Sequence, residues 1–245
     1  ETDEWVMIGL RASYDYISPD EYRSAGKAFQ ILYWDEHSHF CPVCGTAMEH
    51  QTPIMKKCPN CGNEMYPPVS TAIIVLIRKG DEILLVHARN FRGTFYGLVA
   101  GFLEAGETLE ECVEREVFEE TGLKVKNITY FSNQPWPYPS GLMVGFIADY
   151  ESGEIKLQED ELTAAAFYSK DNLPEIPRKL SIARRLKELK RGGEEILKSR
   201  LRKTHTHKRT TTNETTLIHI NQSVCNRNLP ILNFPANVLF INHRV

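Results

Sequence analysis

The chain lacks any long apolar run. None of its hydrophobic stretches approaches the roughly 18–20 residues needed to span a bilayer, so no membrane association is expected. No secretory signal is visible, and the chain opens on Glu rather than Met, as a fragment or a processed form would. Charge of one sign is also missing. The 29 Lys and Arg against 32 Asp and Glu leave −3, which argues against a nucleic-acid binder driven by net charge. Cysteine is scarce but concentrated. Four of the 6 fall in two C-x-x-C pairs, while Cys112 and Cys225 stand alone. That usage fits a reducing compartment, and a cytoplasmic location is expected. At 245 residues the chain can bury one sizeable core and carry a small module besides.

The small module is the cysteine-bearing one. Cys41-Pro-Val-Cys44-Gly and Cys58-Pro-Asn-Cys61-Gly are two copies of one knuckle, with Gly45 and Gly62 letting the chain turn so that amides face the thiolates. Four thiolates in this pattern make a closed tetrahedral Zn²⁺ site, structural because no coordination position stays open. Two disulfides or a redox C-x-x-C are the alternatives, and the paired Gly knuckles disfavour them.

The most informative stretch runs from Gly101 to Leu123. Thr108 followed three residues later by Glu111 is a capping box, and Gly122 is a natural helix stop, so a helix is expected between them. Leu109, Cys112, Val113 and Val117 mark its inward stripe. Glu116, Glu119 and Glu120 share one side of the helix, and Glu116 and Glu120 fall within or beside the stripe. Glu110, Glu111 and Glu114 point elsewhere. A solvated acidic helix is the ordinary reading of such a composition. Inward carboxylates are costly unless a cation meets them, and clustered carboxylate oxygens suit Mg²⁺ or Mn²⁺.

Elsewhere, Thr71–Ile77 reads as a buried strand, and Lys79-Gly80-Asp81 as the turn of a hairpin returning through Glu82–Val86. Short strands are expected at 95–100, 125–131, 142–150 and 164–168, and Ala25–Trp34 as a short helix. Pro177 opens a last amphipathic helix carrying Leu180, Ala183, Leu186 and Leu189. Strands interleaved with a helix predict an α/β sandwich. Beyond about Leu201 the composition turns Thr- and His-rich without sustained period. His205 and His207 there are read as scattered surface residues. Between the strands lies Asn133-Gln134-Pro135-Trp136-Pro137-Tyr138-Pro139-Ser140-Gly141, a Pro-stiffened aromatic loop with flat faces for a base and an amide in Gln134.

Three of these elements together resemble a known family. Gly101, Glu107 and Arg115-Glu116-Val117-x-Glu119-Glu120-x-Gly122-Leu123 match the Nudix box at every fixed position. The downstream Gln-Pro-Trp-Pro-aromatic-Pro element and the upstream four-Cys ribbon resemble the NADH pyrophosphatase (NudC-type) branch of the Nudix hydrolases. The likeness runs from Leu10 to about Ser199. It departs from the branch motif at Asn133, Tyr138 and Gly141, where that motif has Ser, Phe and Ser.

The resemblance implies a Nudix α/β/α sandwich with a mixed sheet, preceded by a small zinc-ribbon module. The expected organisation is 1–36 as a remnant of an N-terminal domain, 37–66 as the zinc ribbon, 67–200 as the hydrolase domain and 201–245 as a poorly ordered or atypical tail. It implies Glu116, Glu119, Glu120 and Glu161 as catalytic residues. Glu116, Glu120, Glu161 and the carbonyl of Ala100 would hold Mg²⁺ or Mn²⁺, and Cys41, Cys44, Cys58 and Cys61 would hold Zn²⁺. Substrate contacts fall on Tyr66, Phe102, Gln134, Pro135, Trp136, Pro137, Tyr138, Pro139, Ser140, Gly141, Ala183 and Arg11. Arg115 is expected to orient helix glutamates. The implied reaction splits the diphosphate of NADH or NAD⁺ into AMP and nicotinamide mononucleotide, removes the NAD cap from RNA 5′ ends, and runs in a homodimer. The rivals are a Nudix hydrolase for a nucleotide sugar, coenzyme A or a free triphosphate, a zinc-ribbon nucleic-acid-binding protein with an inert Nudix fold, and a purely structural scaffold. The Gln134-Pro135-Trp136 loop disfavours the first and the intact box glutamates the other two.

Overall fold

The computed structural model describes residues 5–91, 93–175, 182, 183, 185, 186 and 238–242. They form two compact units. One comprises 5–69, 135–141 and 238–242; the other comprises 70–134 and the described residues from 142 to 186.

The first unit opens with β1 (Trp5–Gly9), which pairs antiparallel with β11 (Val238–Asn242). A single turn, α1 (Leu10–Ser13), leads to α2 (Pro19–Glu36). The short helix expected at Ala25–Trp34 is thus 18 residues long. Its start is written in Ser18-Pro19-Asp20-Glu21: the Ser18 side chain accepts from the Glu21 amide, Glu21 reaches back to the Ser18 amide, and Pro19 fills the first turn. Three short strands follow, β2 (Glu49–Thr52), β3 (Met55–Lys57) and β4 (Glu64–Met65), in one sheet of order β2-β3-β4. So small a sheet cannot stand on apolar burial alone. Lys56 of β3 is buried and reaches α2: its Nζ pairs with the Asp35 carboxylate at 2.6 Å and donates to the Asp35 and Ser38 carbonyls at 2.9 and 3.2 Å. It thereby satisfies carbonyls at the helix end, where the macrodipole favours a cation.

The second unit is the sandwich. Its strands are β5 (Ser70–Lys79), β6 (Glu82–Ala88), β7 (Val99–Phe102), β8 (Lys124–Trp136), β9 (Gly141–Ser152) and β10 (Leu162–Ser169). The sheet order is β10-β6-β5-β9-β8, with β7 on the first half of β5. The helix α3 (Leu109–Thr121) and the helical residues 182, 183, 185 and 186 lie on opposite faces. Ile73, Val75 and Ile77 pack with Cys112, Val113 and Val117 of α3, while Ile74 and Leu76 pack with Ile182, Ala183 and Leu186. Both faces of β5 are therefore buried, which is why its sequence is an unbroken apolar run rather than an alternation. Pro177, Leu180 and Leu189 of the expected last helix lie outside the described residues, as does the 201–245 tail apart from β11.

The hairpin turn at Gly80-Asp81 stands as expected, with Lys79 paired to Glu82. The strands run a residue or two beyond their expected bounds, and two depart further. The one placed at 95–100 begins at Val99 and ends at Phe102, with Gly97 making only an isolated bridge to Val86. β8 does not stop at Phe131 but runs to Trp136, so the aromatic loop shrinks to a turn between β8 and β9. Pro135 lacks an amide donor, which is tolerated here because β8 is the edge strand of the sheet.

Candidate active site

In the second unit, α3 begins at the Thr108 capping box, whose hydroxyl accepts from the Glu111 amide at 3.2 Å, and ends at Gly122 in the left-handed region, φ 71°. Between them the carboxylates sort as the helical repeat dictates. Glu110, Glu111 and Glu114 are exposed. Glu120 is 4% exposed, and the Glu116 side chain 12%. Glu119, on the same side, is half exposed at 50%.

The entry to the helix is shaped around Glu116. Gly101 has an ordinary φ, yet a Cβ built on it would fall inside the Glu116 carboxyl group. Glycine is needed at this point of β7 for clearance, so that the helix carboxylate can lie against strand backbone.

Arg115 organises the rest. Its guanidinium meets Glu107 at 2.5 and 2.9 Å, Glu116 at 2.9 Å and Glu119 at 3.0 Å, and donates to the Phe102 carbonyl at 2.9 Å. Arg115 and the Glu104 amide hold the Glu107 carboxyl down to about 2. As expected from the sequence, Arg115 orients glutamates. Glu120 is treated differently. Among the described residues no cation pairs with it, and burial, then the charges of Glu116, Glu161 and Glu119, push its carboxyl up to about 8. Burial also raises Glu116, against the opposing pull of Arg115. A buried carboxylate with carboxylate neighbours and no cation of its own is a donor set suited to a divalent ion.

Glu161 reaches this cluster through main-chain contacts. The amides of Lys156 and Gln158 donate to the Thr121 and Glu120 carbonyls at 2.8 and 3.1 Å, taking up the acceptors left at the end of α3. The Glu161 amide then closes on the Gln158 carbonyl, and the Arg89 amide donates to the Glu161 carbonyl at 2.7 Å. The Arg89 guanidinium holds the Glu159 carbonyl from two nitrogens. Nothing about Arg89 in the sequence marks this function. Ala100 sits on β7 opposite Ile74, and Phe102, at its end, is 66% exposed. Gln134 Oε1 accepts from the Ile182 amide at 2.8 Å, beside Ala183, while the Ile182 side chain fills a notch at Gly145.

In the first unit the two cysteine knuckles repeat each other. Cys41 donates its amide to the Thr46 carbonyl and accepts from the Gly45 amide; Cys58 does the same with Asn63 and Gly62. Gly45 and Gly62 have φ of 74° and 75°, which only glycine adopts cheaply. The four sulfurs lie within 4.8 Å of one another, with Cys41–Cys61, Cys44–Cys58 and Cys44–Cys61 each at 3.5 Å. A tetrahedron of sulfurs at zinc bond lengths has edges of about 3.8 Å, far longer than a disulfide. None of the four is in a disulfide. Among the described residues they form the one group of three or more Cys, His, Asp or Glu closed to that distance; the glutamates around Glu120 are not drawn so tightly together.

Of the remaining candidates, Arg11, Trp136, Tyr138 and Ser140 meet around the turn after Trp136, and Tyr66 is not brought there. Arg11 lies over the Trp136 ring at 5.1 Å and the Tyr138 ring at 4.4 Å, and the two rings meet edge to face. The Tyr138 hydroxyl bonds that of Tyr22, and Ser140 Oγ donates to the Pro68 carbonyl at 2.6 Å. Tyr66 is exposed, its hydroxyl on Glu64. The grouping of Arg11 with Trp136 and Tyr138 follows from a fold that brings α1 to this turn, which local sequence does not announce.

Comparison with known proteins agrees with this geometry. The NUDIX domain family matches residues 67–189. The NAD-capped RNA hydrolase NudC of Pseudomonas aeruginosa is 47% identical over 171 residues, 69% of this chain and 62% of that protein. The protein of the same name from Haemophilus influenzae is 44% identical over 191 residues, 76% of this chain and 72% of its own length. The chain thus spans 62% of the Pseudomonas relative. The crystal structure of a NUDIX hydrolase from Nitrosomonas europaea superposes with a TM-score of 0.54 at 22% identity, over 64% of this chain and 92% of that one, a likeness of fold. Box, sandwich and relatives agree: this chain belongs to the NUDIX family, in its NudC branch.

Proposed function

We propose that this chain hydrolyses the diphosphate of NADH and NAD⁺, giving AMP and nicotinamide mononucleotide, and that it removes the NAD cap from RNA 5′ ends. The observation that carries the reading is the state of Glu120: buried, surrounded by Glu116, Glu119 and Glu161, and, among the described residues, left without a cation by an arginine that pairs with its neighbours. The relatives named NAD-capped RNA hydrolase, at 44 and 47% identity, support the choice of substrate.

In this reading Glu116, Glu120, Glu161 and the Ala100 carbonyl hold Mg²⁺ or Mn²⁺. Such ions lower the pKa of a bound water and offset charge on the phosphates. The protein's own part is to fix the donors. Gly101 clears the space for Glu116, Arg115 restrains it together with Glu119, and the 156–161 segment carries Glu161 to the helix end. Phe102 offers an exposed ring for the nicotinamide side, and Tyr66, Arg11, Ala183 and the 134–141 segment supply further contacts. Zn²⁺ on Cys41, Cys44, Cys58 and Cys61 stabilises the small sheet and takes no part in the chemistry. The working form is a cytoplasmic homodimer, with 37–66 as the zinc ribbon, 67–200 as the hydrolase domain and the 1–36 segment as what remains of an N-terminal domain.

The test is incubation with NADH and with NAD-capped RNA, with and without Mn²⁺, comparing the parent with Glu120→Gln. AMP release from NADH only with metal, lost in the variant, is the expected result. Metal-independent cleavage, or a fully active variant, removes the reading.

A further inference from the structure

We infer that α2 is a splint for the 137–141 turn, and that Tyr22, Gly26 and Gln30 are positioning residues that set selectivity for the nicotinamide dinucleotide through it. This rests on the function proposed above. The three residues stand four apart, so they form one ridge along the helix. Each meets a different residue of the turn. The Tyr22 hydroxyl bonds the Tyr138 hydroxyl, and Gln30 Nε2 donates to the Gly141 carbonyl at 3.4 Å. Between them Gly26 faces Pro137, whose Cγ would lie 3.0 Å from any Cβ placed there.

The glycine is the telling choice. A glycine inside a helix is destabilising, and Gly26 occupies the middle of 18 helical residues with no left-handed φ to require it. What it provides is clearance for the proline ring. Ser140 is tied in addition to the Pro68 carbonyl. The turn after Trp136, which bears Tyr138, is therefore gripped along one helical ridge and tied again at Ser140. A loop held this way has little freedom left to lose when a ligand arrives, which lowers KM without touching the bond-breaking step.

The experiment uses the whole chain labelled with 5-fluorotryptophan. It has 3 Trp, and the Trp136 resonance is assigned with Trp136→Phe. The variants are Gly26→Val, the pair Tyr22→Phe with Gln30→Ala, and Tyr22→Phe alone. Kinetics are run on NADH and on ADP-ribose, a nucleoside diphosphate without nicotinamide. In the first two variants the Trp136 line is expected to move or broaden, and KM for NADH to rise roughly tenfold with kcat held within about threefold. The preference for NADH over ADP-ribose falls in step. Should Gly26→Val fail to fold, Tyr22→Phe, which removes only a hydroxyl, carries the test with a smaller shift in the same direction. An unmoved line, an unchanged KM for NADH, or an equal loss on both compounds overturns the proposal. A parent that leaves NADH intact sinks the functional reading and this claim with it, whereas an active parent with indifferent variants sinks this claim alone.

Discussion

Glu116 lies against the backbone of Gly101 so closely that the two residues cannot both carry a side chain in their present positions. The clash would be with the mobile end of Glu116, not with backbone. Gly101→Ala is therefore expected to fold, at a cost of roughly 1–3 kcal/mol, and to displace the carboxylate. NADH hydrolysis should fall by about a hundredfold or more, and Mn²⁺ titration should show weakened binding. Parent-like metal affinity in a folded variant would refute this account of the glycine.

Removing the charge at Glu120 separates stability from activity. Its carboxyl is raised from 4.5 to about 8, chiefly by burial. An acid raised in the fold keeps its proton where the unfolded chain releases it. The contribution is fully present below the unfolded value and is lost as pH rises through the folded one, so the metal-free protein weakens between pH 4.5 and about 8. Glu120→Gln should abolish that slope and raise metal-free stability at pH 8 by roughly 2–4 kcal/mol while activity drops by orders of magnitude. Thermal melts in chelator at pH 5 and pH 8 test it; parallel curves for parent and variant would contradict it.

Arg115 joins Glu107, Glu116, Glu119 and the Phe102 carbonyl through one planar group. Lysine has a single ammonium and cannot span them. Arg115→Lys should cost about ten- to a hundredfold in kcat/KM for NADH, with Arg115→Ala worse because Glu107 and Glu116 then lose their counter-charge. Equal activity in the lysine variant would reduce Arg115 to a simple charge.

The cysteine cluster makes a prediction about metal removal. The parent should carry about one zinc per chain by elemental analysis, and Cys58→Ser should lose it. With Cys58 buried and its knuckle joined to the β2-β3-β4 sheet, that loss should unfold the module and raise protease sensitivity within 37–66 before the sandwich is attacked. A zinc-free parent with an intact module would reject a metal at this site.

Much of the sandwich was legible because its signals are local. The Thr108 box, the Gly122 stop, the apolar run of β5 and the Gly80-Asp81 turn each act within a few residues, and each stands where expected. The sidedness of Glu116 and Glu120 followed from the helical repeat alone. The misses have two sources. The start of α2 is written locally in Ser18-Pro19-Asp20-Glu21, well ahead of the 25–34 stretch expected to be helical. The rest depended on the tertiary fold. The clasp of Arg89 on the Glu159 carbonyl, the seat of Ile182 at Gly145 and the ridge of α2 along the Pro-rich turn join residues far apart in the chain, with no spacing rule to betray them. The extension of β8 through Pro135 to Trp136 likewise reflects its place in the assembled sheet rather than any local preference.

The 156–158 segment is hydrogen-bonded to the end of α3 through two amides, one onto Thr121 and one onto Glu120, while Leu157 packs on the core around Val117 and Leu123. These two hydrogen bonds ask nothing of the side chains at 156 and 158, which can change in charge or polarity, although the Lys156 Cβ starts close beside Gly122. Proline alone is barred at either place, because it deletes the donor. Drift along this stretch can retune the rim around the glutamates while the carboxylates on its two sides stay in register, which makes it a natural place for relatives to diverge in what they admit without rebuilding how they cut.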